Sequence, residues 1–181
     1  MFPSFPPKEP LLISLDLGLR FGWAFYSLQG SLIGYGSHHC AGREQLKKCA
    51  YSLIQTLPPS SEIWIEGGGA LLKFWTKPAL KKTLTIRICH AHEWRSDLFK
   101  MSAHLSGKEA KQKAIQWAHY LIELNRQKNK PPEFKGRRKK TKKSAPVIRH
   151  DTAEAILMGW WALFQRGWIE VGSFHEGLKH M

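Results

Sequence analysis

Two short apolar runs, each closed by an acid, constrain this chain most. Leu11-Leu12-Ile13-Ser14-Leu15 runs into Asp16, and Ile63-Trp64-Ile65 runs into Glu66. Each run has the length of a strand and reads as a buried one. An acid that ends a core element is out of its ordinary place, because most acids sit on solvated faces. A second pair, Asp151 and Glu154, opens an apolar helical stretch near the C-terminus. These four come from only 14 acidic residues in the chain. Three segments that bring four carboxylates together would build a divalent-metal site on an otherwise positive protein.

The rest of the pattern places these runs in one α/β domain. Leu11–Asp16 is followed by a turn at Leu17–Arg20 containing Gly18. The aromatic, β-prone stretch Phe21–Leu28 comes next. Gln29-Gly30 then turns the chain into Ser31–Ser37, which completes a three-stranded antiparallel meander. Leu46, Cys49, Ala50, Leu53, Ile54 and Leu57 recur at helical spacing over 42–57, and Pro58-Pro59 ends that helix. Glu62–Glu66 is the fourth strand, before Gly67-Gly68-Gly69. Residues 70–89 mix helix and strand signals. Leu71 to Trp75 can start a helix, Pro78 can open another, and a fifth strand is expected near Ile88–Trp94. Ser106 is the expected cap of a helix from Gly107 to about Asn125, with a stripe of Ala110, Ala114, Trp117, Ala118, Leu121 and Ile122. The last helix is expected over Asp151–Gln165, with Gly167 turning the chain after it. Trp160, Trp161 and Trp168 read as core or interface residues.

A length of 181 residues suits a single domain with a full core. The expected organisation is a flexible proline-rich lead-in over 1–10, one domain over 11–170 and a tail over 171–181. No apolar run approaches the roughly 20 residues of a membrane helix. The three cysteines, Cys40, Cys49 and Cys89, are far apart in sequence and odd in number. They suggest neither a disulfide framework nor a thiolate zinc site, and they fit a reducing, cytoplasmic setting. His38-His39 and the His90/His92 pair read as structural or surface residues.

Charge is concentrated in one place. The net charge is +14, and residues 126–149 hold eleven Lys/Arg against one acid, Glu133, for +10. Pro131-Pro132 and Pro146 argue against regular structure there, so the segment reads as a basic loop before the last helix. Its natural partner is a polyanion, and nucleic acid is the commonest one. A solvated loop that only aids solubility is the alternative. Phe74 and Trp75, beside Lys73, offer either packing or base stacking.

The carboxylates carry the chemistry. Asp16 and Glu66 on adjacent strands can bridge one metal, and Asp151 and Glu154, three apart on a helix, share a face. Oxygen donors without thiolate favour Mg²⁺ or Mn²⁺. Four acids suit two ions about 4 Å apart, the arrangement that hydrolyses phosphodiesters. Each acid has a plainer alternative. Asp16 can cap the turn at Gly18, Glu66 can bind the loop amides, and Asp151 and Glu154 can serve helix N-terminal electrostatics.

Four motifs together carry a family resemblance over about residues 11–165. Asp16-Leu17-Gly18-Leu19-Arg20-Phe21-Gly22-Trp23-Ala24 resembles the first motif of RuvC-type Holliday junction resolvases, in the ribonuclease H-like superfamily. Ile63-Trp64-Ile65-Glu66 resembles the second motif. Asp151-Thr152-Ala153-Glu154-Ala155 resembles the C-terminal motif of two acids three apart. Ser106-Gly107-Lys108-Glu109-Ala110-Lys111 resembles the segment in which a basic residue precedes a helix. The resemblance implies a ribonuclease H-like fold, a mixed five-stranded sheet made of the meander plus parallel strands and flanked by helices. It implies metal-dependent endonuclease activity on branched or duplex DNA, leaving 5′-phosphate and 3′-hydroxyl ends. Homodimers are the family's habit. The implied ligands of the two Mg²⁺ or Mn²⁺ ions are Asp16, Glu66, Asp151 and Glu154. His150 is expected in their outer shell or facing phosphate. Lys111, then Lys108, are the implied phosphate contacts, with Arg137, Arg138, Lys139, Lys140, Lys142 and Lys143 of the basic loop.

Three departures from the family pattern stand out. Glu154 replaces the usual Asp. The stretch from Glu66 to Trp94 is short for the central helix that contributes to dimers. The basic segment is long. Two other readings share the fold: a nuclease acting on RNA or RNA–DNA hybrids, and a nucleic-acid-binding module without activity.

Overall fold

The computed structural model describes residues 9–98, 107–128 and 148–170. The lead-in through residue 8, the tail from 171 and most of the basic loop, Arg137 to Lys143 included, lie outside the described residues. Ser106 lies outside them too.

A mixed five-stranded sheet forms the centre. Strands β1 (Leu11–Asp16), β2 (Arg20–Ser27) and β3 (Leu32–His39) make the expected antiparallel meander. Strand β4 (Glu62–Glu66) lies parallel to β1 on its other side, and β5 (Thr85–Cys89) lies parallel to β4. The spatial order is β3-β2-β1-β4-β5. The near-continuous apolar character of β1 follows from its central place, covered on both faces. Leu11, Ile13 and Leu15 point into one apolar cluster and Leu12 into the other.

Helices cover each face. Helix α1 (Arg43–Thr56) and the shorter α2 (Lys73–Lys81) pack on the face that holds Leu11, Ile13 and Leu15. Helices α3 (Ala91–Leu98), α4 (Gly107–Lys128) and α5 (His150–Gln165) form the other layer. The stripe expected on α4 is buried at Ala114, Trp117, Ala118, Leu121 and Ile122. Helix α5 is buried from Asp151 through Leu163, so both of its acids lie inside the protein. Trp160 and Trp161 are core residues of that helix.

Helix α5 lies close against the meander. A Cβ on Gly22 would stand 1.9 Å from the Asp151 carbonyl oxygen, and one on Gly159 would stand 2.5 Å from Ser14 Oγ. Both distances are far inside van der Waals contact, so only glycine permits this approach. Two hydroxyls complete the seam. Ser14 Oγ donates to the Ala155 carbonyl at 2.6 Å, and Tyr26 OH donates to the Ile156 carbonyl at 2.6 Å.

The middle of the chain departs from the sequence reading. Strand β5 occupies Thr85–Cys89, and the expected strand near Ile88–Trp94 is mostly helix instead. The β-branched residues Thr85, Ile86 and Ile88 pair with β4, and the chain then turns helical at Ala91. The Glu93 side chain accepts the His90 backbone N–H at 2.7 Å, half of a capping box that starts α3. Pro78 opens no new helix. It lies inside α2, where burial of Trp75 and Ala79 offsets the lost backbone donor. Helix α4 runs to Lys128, so the first residues of the basic stretch are helical.

Candidate metal centre

The four acids converge at the C-terminal ends of β1 and β4. Asp16 and Glu66 are register partners on these parallel strands. The backbone after Asp16 is tied to the same place, because Leu17 N–H donates to the Glu66 carbonyl at 3.1 Å. Gly67, with φ +106, turns the chain sharply away from Glu66. The sheet therefore holds both carboxylates on rigid backbone. Helix α5 brings Asp151 and Glu154 over them, as their spacing of three on one helical face requires.

The four groups act on one another electrostatically. Burial, followed by the charges of Glu154, Glu66 and Asp151, pushes the Asp16 carboxyl up to about 8. A hydrogen bond with Glu154 adds to the same shift. Asp16 therefore holds a proton more tightly than an ordinary carboxyl, at a point where four negative charges would otherwise meet. Burial also raises Glu66, while a hydrogen bond from Trp94 and the charge of Arg95 work against that rise.

Helix α3 supplies two partners that the sequence reading did not single out. Trp94 Nε1–H donates to Glu66 Oε2 at 2.6 Å, which fixes that carboxylate's rotamer. Arg95 reaches in beside it, 2.7 Å from Glu154 Oε1 and 3.7 Å from Glu66 Oε1. Its guanidinium also lies over the Trp94 ring, 4.9 Å from the centroid. Asp151 accepts the Thr152 backbone N–H at 2.8 Å and faces Arg149 Nε at 3.5 Å. The sequence carried a usable signal for α3: Glu93 three residues after His90, and Trp94 and Leu98 at i, i+4 spacing.

The donor set fits a divalent metal. Four carboxylates from three elements face two arginines, and the shortfall shows as the raised Asp16 and Glu66 carboxyls. Hard oxygen donors with surplus negative charge suit Mg²⁺ or Mn²⁺. Asp151 also fits the plainer role, since it lies in the first turn of α5. Neither a turn cap nor a helix-end acid by itself calls for three further acids beside it.

The remaining candidates fall in three groups. His150 opens α5, half-buried, immediately before Asp151. Lys108 and Lys111 are exposed in the first turns of α4. Trp75 is core, fully buried and edge-on to Phe21 at 5.1 Å between centroids, so it offers no stacking surface. Phe74 instead joins Tyr51 and Lys47, Lys48, Lys73, Lys77 and Lys81 along a cavity of about 770 Å³ between α1 and α2. The sequence reading did not assemble this basic groove, because its lysines come from two helices about 30 residues apart. The cysteines also differ from expectation. Cys40 and Cys49, distant in sequence, lie together beside His38.

No protein-family model matches the chain. No curated protein matches it by sequence. Solved structures do match its fold. The Thermus thermophilus RuvC structure superposes with a TM-score of 0.57 at 12% identity, covering 87% of this chain and 96% of that one. T. thermophilus RuvC in complex with Holliday junction substrate gives 0.53 at 10% identity, with 87% and 96% coverage. The fold is ribonuclease H-like, of the RuvC type.

Proposed function

We propose that the protein is a divalent-metal-dependent nuclease of the ribonuclease H-like superfamily that cleaves branched DNA. One observation carries this reading: Asp16, Glu66, Asp151 and Glu154 converge with less positive charge than they need. A purely structural cluster would be neutralised. This one is short of positive charge, which raises the Asp16 and Glu66 carboxyls and which a bound cation would supply.

In this reading Asp16 and Glu66 would hold the metal from rigid strand ends, and Asp151 and Glu154 would complete the ligand set from α5. A divalent ion bound there supplies positive charge to the scissile phosphate and acidifies water. Trp94 keeps Glu66 in one rotamer, so this ligand needs no reordering. Arg95 neutralises Glu154 and Glu66 in the metal-free protein. With a cation held by those acids, its guanidinium would be available to a phosphate oxygen, which its fork geometry suits. Lys108, Lys111 and the basic loop, including Arg137, Arg138, Lys139, Lys140, Lys142 and Lys143, would hold the phosphate backbone. Such contacts recognise shape more than sequence.

Support for branched DNA comes from the four motifs and from the matching fold of RuvC, which has been solved with a Holliday junction. The test is cleavage of a four-way junction with Mg²⁺ or Mn²⁺, beside duplex DNA, duplex RNA and an RNA–DNA hybrid. The junction is expected to be cut fastest. Preferential cutting of the hybrid would move the substrate to RNA. Unchanged cleavage by Asp16→Asn would overturn the mechanism. Light scattering of the free protein and of its junction complex tests the expected homodimer.

A further inference from the structure

A second cluster of donors lies across the sheet from the carboxylates. His38 is on β3, Cys40 immediately follows that strand, and Cys49 is on α1. Their ligand atoms all lie within 4.8 Å of one another. His38 and Cys40 are two apart, so they emerge on the same face of the strand. That face is the one α1 covers, since Cys40 belongs to the α1 cluster and His38 packs against Phe21 with centroids 5.8 Å apart. Cys49 sits on the inward side of α1 between Leu46 and Leu53, at spacings of three and four.

The backbone around the cluster is anchored. Cys40 N–H donates to the Leu19 carbonyl at 2.7 Å, and Ala41 N–H donates to Gln45 Oε1 at 2.6 Å. Cys40 is buried, while His38 and Cys49 are half-buried, so one side of the cluster is reachable from solvent.

We propose that His38, Cys40 and Cys49 form a metal site for a thiophilic ion of the Zn²⁺ type, with water in the fourth position. A tetrahedral ion with Zn–S near ~2.3 Å and Zn–N near ~2.0 Å keeps its donors about 3.3–3.8 Å apart. Small rotamer changes of the half-buried His38 and Cys49 bring the set to that spacing. Two thiolates and a neutral imidazole balance the dication without a further counter-charge. Soft donors select Zn²⁺ over Mg²⁺, and the carboxylate centre has the opposite preference. The ion would tie the edge strand β3 to α1 and leave one coordination position open. This inference does not depend on the nuclease reading.

The test is titration of the reduced full-length protein with Co²⁺ in excess Mg²⁺. The expected result is one equivalent bound, a near-ultraviolet sulfur-to-cobalt charge-transfer band, and the intense visible bands of four-coordinate Co²⁺. Added Zn²⁺ should bleach them. Cys49→Ser should halve the charge-transfer intensity, and Cys89→Ser should leave it unchanged. His38→Ala should weaken binding at least roughly tenfold, the loss that even an outer-shell partner causes. No charge-transfer band, or a band undiminished in Cys49→Ser, overturns the site. Because Cys40→Ser alters a buried position, the check on Cys40 uses the unmutated protein. X-ray absorption of its Zn²⁺ form should show two sulfur neighbours and a nitrogen. A shell of oxygen and nitrogen alone overturns the proposal.

Discussion

Strand β4 begins and ends with a glutamate, and the two ends differ. Glu62 at its start is buried and answered by two arginines. Arg166 approaches it at 2.8 Å and Arg87 at 3.4 Å. Glu66 at its end shares Arg95 with Glu154 and faces Asp16, and its carboxyl is raised. Both acids close off the same apolar run. One is charge-matched within the fold and the other is left short of charge. In the proposed function, the difference separates a structural carboxylate from a metal ligand. Burial alone would have ranked Glu62 above Glu66 as a functional residue.

The largest effect expected from breaking this contrast is on activity. Asp16→Asn or Glu66→Gln should lower metal-dependent junction cleavage by roughly 10²–10³-fold or more, the scale of losing one charge-stabilising group. Glu62→Gln should leave the cleavage rate of folded protein unchanged. Parallel single-turnover assays at saturating Mg²⁺ compare the three.

Stability should respond in the reverse order. Glu62→Ala should cost about 2 kcal/mol in urea unfolding. That is below the 3–5 kcal/mol of a fully buried pair, because both arginines reach solvent. Asp16→Asn should instead stabilise the metal-free protein, by on the order of 2 kcal/mol at pH 8. Asp16 keeps its proton to about pH 8 when folded, against an ordinary value of 3.8. The folded state thus binds the extra proton between these values, and metal-free stability falls as pH rises through that window. Asn has no proton to lose, so the variant should flatten the slope. A variant with the parent's pH profile would show that Asp16 is not the frustrated group.

Arg95 gives a smaller effect that sharpens the comparison. Arg95→Gln should destabilise the metal-free protein by about 1 kcal/mol, since it removes the cation shared by two acids. Saturating Mn²⁺ should erase most of that cost, because the ion then neutralises both carboxylates. An equal loss with and without metal would make Arg95 a plain structural partner. The smallest contribution per residue comes from the basic loop. Deleting 130–145 should flatten the dependence of junction affinity on salt by about 0.9 in log–log slope for each phosphate that the loop neutralises.

The legible parts of the fold were those where one local signal had no competitor. The uniform apolar runs of β1 and β4, the turn at Gln29-Gly30, and the helical spacing from Leu46 to Leu57 each pointed one way. The four acids were visible because they interrupt apolar runs. The sequence was ambiguous where elements are short and two periods fit the same residues. Strand β5 carries exposed Arg87 and Ile88 at the sheet edge, so it lacks the apolar run of an interior strand. Helix α3 is eight residues long, and its capping glutamate was its main announcement. Trp94 and Arg95 were therefore missed as partners of the site. The groups at Cys40 and Cys49 were missed for a different reason. Their proximity comes from α1 folding back onto β3, which sequence spacing does not express.

Ser14 and Tyr26 donate to carbonyls of α5 and not to its side chains. Each residue of a helix is turned about 100° from the last. A slip of one position would swing Asp151 and Glu154 off the strand ends altogether. The two hydroxyls fix the rotational phase of the helix by gripping its main chain. That grip is indifferent to which side chains stand at 155 and 156. The side chains at 155 and 156 can thus change without loosening the grip, and the angle at which α5 presents its acids is kept by two residues on neighbouring strands.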